Sequence, residues 1–96
     1  MLVEKPKKGE ICTLKLITGE EIVARVQEEE ENCVFVEKPC TVMPSQQGIG
    51  LIQSLYTADP NKPIPISKDH IIMMAVSVDQ ISTHYIKTTT GLEIAK

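Results

Sequence analysis

Residues 12–26, CTLKLITGEEIVARV, constrain the fold more than any other stretch of the chain. Cys12, Leu14 and Leu16 alternate with polar side chains, Thr18-Gly19 interrupts, and Ile22, Ala24 and Val26 resume the alternation. A period of two puts every second side chain on one face of a strand. The segment therefore reads as a tightly turned antiparallel pair with one buried face.

The chain has 96 residues, which predicts a single domain near the lower size at which one core suffices. Hydrophobic residues make up 42%, yet only Phe35, Tyr56 and Tyr85 are aromatic, so the core has to come from Ile, Val, Leu and Met. That composition suits a small barrel. No apolar run approaches the roughly 20 residues of a membrane span. The opening MLVEKPKKGE has no hydrophobic stretch of the secretory kind, so a cytoplasmic protein is expected. Cys12, Cys33 and Cys40 are odd in number and lack C-x2-C spacing, which favours reduced, packed thiols over a metal or disulfide role.

A net charge of −3 argues against non-specific nucleic-acid binding, whose affinity comes largely from Lys and Arg displacing counterions. Basic residues cluster at Lys5, Lys7 and Lys8 and again at Lys62 and Lys68, while Glu28 to Glu31 form an acidic block. The plain reading is a solvated arm, a solvated loop and a hairpin tip.

Further along, Pro6 and Gly9 disfavour a helix over residues 5–10. A third strand is expected from Cys33 to Glu37, extending past Pro39 to Met43, with Pro39 marking an edge or a bulge and Met43-Pro44 closing it. Residues 45–50 read as a flexible connection and 51–57 as a fourth strand. ADPNKP at 58–63 is turn chemistry. Pro65 to Lys68 then leads to a last strand over residues 70–78, HIIMMAVSV, apolar on both faces. A chain this small has no second sheet to cover the outer face, and an apolar edge strand invites pairing with another copy. Asp79 is placed to cap a short helix through about Thr88, with Ile81, Tyr85 and Thr88 on one side and Gly91 ending it.

The hairpin at 12–26 resembles the first half of the first Sm motif of the Sm, LSm and Hfq ring proteins. Gly19 matches the turn glycine, Ile22 and Val26 the inward residues, and Ala24 the small residue, usually Gly, at which a strand bends. The resemblance spans roughly residues 10–78. Its long insert before the last strand makes the chain similar to uncharacterised Sm-like proteins of bacterial and phage genomes. It implies a mainly all-β fold, a small, strongly bent five-stranded open barrel over about 10–78, with a C-terminal helix and tail over 79–96. It also implies strand pairing between neighbours, fourth to last, in a homo-oligomeric ring of five to seven subunits.

Sm-type RNA binders carry Asp-x-x-Met-Asn between the second and third strands and Arg-Gly before the last. Laid on without gaps, Glu30 takes the Asp position, Cys33 the Met and Val34 the Asn. A loop two residues shorter brings Asn32 to the Asn position, and this even shift preserves strand parity, so both alignments are open. Before the last strand, Ser67-Lys68-Asp69-His70 lacks Arg-Gly, although Lys68 and His70 resemble a Lys-His pair that Hfq presents to RNA. Asp69 intrudes, and the Tyr preceding that pair is absent. The candidate RNA-binding residues implied by the resemblance are Asn32, Lys68 and His70.

Plainer roles compete for several of these side chains. His70, at the mouth of a strand, reads first as a hydrogen-bonded structural residue, and His84 has no partner at metal-ligand spacing. Met43, Met73 and Met74 can form an adaptable patch, but packing in the core or between subunits is the simpler use. Gly48 and Gly50 lack the lysine or capped helix of a phosphate loop, so loop flexibility explains them and no cofactor is expected. Nucleophile–base pairs, paired carboxylates and metal clusters are not visible, which argues against an enzyme. Two functions remain: a ring that positions single-stranded RNA, and a ring that serves as a protein scaffold or adaptor after losing the RNA pocket.

Overall fold

The computed structural model describes residues 7–94, with side chains described through residue 90. It is mainly β, with strands β1 (Ile11–Leu16), β2 (Glu21–Glu29), β3 (Cys33–Ser45), β4 (Gly48–Gln53), β5 (Ile64–Ser67) and β6 (Ile71–Val76). A single 3-10 turn, Lys68–His70, joins β5 to β6, and one helix, α1 (Asp79–Ile94), follows. The antiparallel sheet runs β4-β3-β2-β1-β6, with β5 also beside β3.

The first hairpin forms as its alternation predicts. Cys12 pairs with Ala24 and Leu14 with Ile22, and all four are buried in one cluster with Val26, Val34 and Val36. Gly19 has φ +94, a conformation that a β-carbon resists. Ile64 and Ile66 of β5 and Ile71 and Met74 of β6 pack on this same cluster, although β5 pairs with β3 and β6 with β1, on either side of β2 in the sheet. The sheet therefore curls around one core.

Two irregularities in the β2–β3 ladder direct that curl. The register slips between Val23 and Arg25, opposite Lys38 and Pro39, where Lys38 has φ 48. Pro39 thus lies at a bulge, a place its missing N–H allows. The extra residue inverts the alternation of β3: Val34 and Val36 face the inner cluster, while Cys40 joins Ile11, Val23, Leu51 and Tyr85 in a second cluster beneath α1. A second slip falls between Val26 and Glu28.

Several sequence expectations need correction. Met43-Pro44 does not close the third strand, because Pro44 still pairs with Ile49 and the strand runs to Ser45. Residues 45–50 are a tight hairpin, with Ser45 opposite Gly48 and the Ser45 hydroxyl donating to the Gly48 carbonyl at 3.0 Å. The expected fourth strand at 51–57 instead occupies Gly48–Gln53, and β5 resumes along β3 beyond the insert, giving six strands among the described residues where five were expected. Within the insert the turn chemistry holds, since the Asn61 N–H donates to Asp59 Oδ1 at 2.9 Å.

The last strand is Ile71–Val76, shorter than residues 70–78; within the single chain Ile72, Met73 and Val76 are exposed, and β6 pairs only with β1 among the described strands. Asp79 is the first helical residue rather than the cap, and the Val78 carbonyl accepts from the Ile81 and Ser82 N–H groups. The helix also continues past Thr88 and Gly91 to Ile94. Thr89 and Thr90 hydroxyls donate to the Tyr85 and Ile86 carbonyls at 2.9 and 2.7 Å, which satisfies them inside a helix that threonine otherwise disfavours. Lys5 and Pro6 lie outside the described residues, and residues 7–10 form no helix.

Candidate nucleic-acid interface

The 3-10 turn Lys68–His70 bridges two other loops. The Lys68 N–H donates to the Asn32 carbonyl at 2.9 Å in the β2–β3 hairpin, and the Ile17 N–H of the β1–β2 turn donates to the His70 carbonyl at 2.9 Å. Ser67 caps the turn, its hydroxyl accepting from the Asp69 N–H at 3.3 Å. Three residues thus span from the start of β3 to the end of β1.

Asn32 and Lys68 are therefore adjacent, whereas His70 is placed against the β1–β2 turn. Asn32 and His70 are exposed. Val34, the alternative to Asn32 by gapless alignment, is fully buried in the inner cluster. The Lys68 ammonium meets Glu29 Oε2 at 2.7 Å, with side-chain exposures of 34% and 20%. The ion pair is partly withdrawn from solvent, which distinguishes it from a freely solvated surface pair.

Glu29 escapes a reading of the sequence that treats residues 28–31 as a hairpin tip. Strict alternation from Ile22, Ala24 and Val26 puts Glu28 on the inner face. The slip after Val26 instead pairs Glu28 with Phe35 and Glu29 with the buried Val34, bringing Glu29 to the end of the inner face. A glutamate in line with core valines is legible only once that bulge is known.

Glu28 and Glu30 remain exposed, and Glu30's carboxyl is held above its ordinary value, first by a hydrogen bond with Glu28. Lys7, Lys8 and Lys62 are exposed as well. Cys12 and Cys40 are buried free thiols, and Cys33 is half-buried. Burial, with Glu10 adding to it at Cys12, raises the two buried thiols from 9.0 to about 11. These thiols are poor nucleophiles at neutral pH. Among the described residues no cluster of three His, Cys, Asp or Glu could hold a metal ion, and no helix is long and apolar enough to cross a membrane.

No protein-family model matches the chain, and no curated protein matches it.

Proposed function

We propose that this chain is a Sm-like ring subunit that binds single-stranded RNA, with Asn32 and Lys68 at the contact and His70 on the same turn. The observation that supports the reading is the backbone hydrogen bond from the Lys68 N–H to the Asn32 carbonyl, which makes a residue with a base-reading amide and a residue with a phosphate-sensing ammonium neighbours at one end of the curled sheet. The amide can read a base edge, and the lysine responds mainly to charge.

The ring draws support from the two ends of the sheet. β4 and β6 each leave one edge unpaired among the described strands, and apolar side chains are exposed near both: Met43, Ile49 and Ile52 on one side, Ile72, Met73 and Val76 on the other. Antiparallel pairing of β4 with β6 of the next subunit would satisfy both edges and cover those side chains, and a head-to-tail contact repeated with rotation closes a ring. The proposed ring has five to seven copies and works in the cytoplasm in RNA metabolism or post-transcriptional regulation.

The scaffold or adaptor reading is favoured by the net charge of −3 and by the carboxylate that neutralises Lys68. Titration of uridine-rich and adenine-rich oligonucleotides at low salt separates the two. Saturable binding is expected, and its absence where electrostatic affinity is greatest would replace RNA by a protein partner.

A further inference from the structure

We propose that Glu29 is a positioning residue that sets RNA affinity by restraining Lys68, so that a phosphate gains the lysine only by displacing the carboxylate. The proposal rests on the RNA-binding reading above and adds a restraint built into the site. Lys68 is held to the β2–β3 hairpin at two points: its N–H bonds to the Asn32 carbonyl at 2.9 Å, and its ammonium pairs with Glu29 Oε2 at 2.7 Å. Glu29 is itself fixed by its place in the ladder opposite buried Val34. The carboxylate is thus carried by a strand, not by the exposed tip of the acidic hairpin.

The arrangement has two opposed effects. It keeps the ammonium beside Asn32 and limits the rotamers that lysine would otherwise sample. It also compensates the charge, so that an incoming phosphate meets an ion pair rather than a free cation. Partial burial of both side chains reduces salt screening of this pair relative to an exposed one. A ring built this way discriminates against duplex or loosely held nucleic acid, whose attraction is chiefly charge, and favours strands whose bases add contacts of their own.

Glu29→Gln keeps the shape and removes the charge. With a fluorescent uridine-rich oligonucleotide, this variant should bind roughly threefold to tenfold more tightly than the parent at moderate salt, as expected for one freed charge-assisted contact. The plot of log affinity against log salt should steepen by up to about 0.7, the single-strand value for one phosphate. Adding Lys68→Ala to Glu29→Gln should cancel both gains, whereas a merely structural role for Glu29 would move melting temperature without changing the salt slope. Glu29→Asp, which keeps the charge on a shorter reach, should fall between parent and Glu29→Gln and guards against a folding defect in either. If the parent binds and neither variant binds more tightly, the restraint is overturned and RNA binding stands. If parent and variants all fail to bind at low salt, both the restraint and the RNA reading fall.

Discussion

The Tyr85 hydroxyl donates to the Glu37 carbonyl at 2.6 Å across 48 residues of sequence, and accepts from the Arg25 N–H at 3.2 Å. Arg25 and Glu37 are ladder partners beside the Lys38–Pro39 bulge. A buried phenol from α1 is therefore inserted where the β2–β3 ladder is broken, and it satisfies one donor and one acceptor beside that break. The helix is fastened to the bend in the sheet as well as to its apolar face.

Tyr85→Phe tests this fastening because it keeps the ring packed against Val23, Cys40 and Leu51. It should lower the free energy of unfolding by about 1–3 kcal/mol, the cost of stranding buried polar groups. Denaturant titration at unchanged slope reads that loss, and a parent-like midpoint would mean that the hydroxyl does not hold the bulge.

Stability should fall in alkali. Burial raises the Cys12 and Cys40 thiols to about 11 and pushes the Tyr85 phenol up from its ordinary value. For groups raised in the folded state, the contribution is fully present below the unfolded pKa and is lost as pH climbs through the folded value. Unfolding free energy should therefore decline from about pH 9 upward through these groups. A thiol reagent at neutral pH should label Cys33 alone in the native protein, and rapid labelling of all three cysteines would contradict the burial.

At Gly19 a β-carbon would meet nothing within 4 Å, so only the positive φ opposes substitution. Gly19→Val should cost about 1–3 kcal/mol through backbone strain. Equal thermal stability of mutant and parent would show that the turn tolerates other conformations.

Lys68→Ala should weaken oligonucleotide binding and flatten its salt dependence by up to about 0.7 in log–log slope. Asn32→Ala should instead narrow the difference between uridine-rich and adenine-rich strands. Neither side chain belongs to the exposed apolar sets of β4 and β6, so neither change should alter the mass of the assembly.

Much of this architecture was legible because the first hairpin obeys a strict period of two and its turn needs glycine. The Asp59–Asn61 turn and the inward Ile81 and Tyr85 were also legible from local chemistry. Register was not. One extra residue at Lys38–Pro39 sends Cys40 to the helix side, and another after Val26 sends Glu29 inward, and neither shift has a local signature beyond Pro39 itself. Which side chains of β6 the single chain leaves exposed was not legible for a related reason: burial on both faces and an uncovered edge leave the same composition. The helix end was missed because Thr89 and Thr90 turn their hydroxyls back onto the preceding turn, which composition does not reveal.

Light scattering on a sizing column tests the central claim, that the edges of β4 and β6 pair between copies to build the ring that presents the Asn32–Lys68 site. The account predicts a single species at five to seven times 10.6 kDa, reduced toward the single-chain mass when the exposed Met73 is replaced by Asp at the β6 edge. A parent protein that elutes as a 10.6 kDa monomer at every concentration would contradict it.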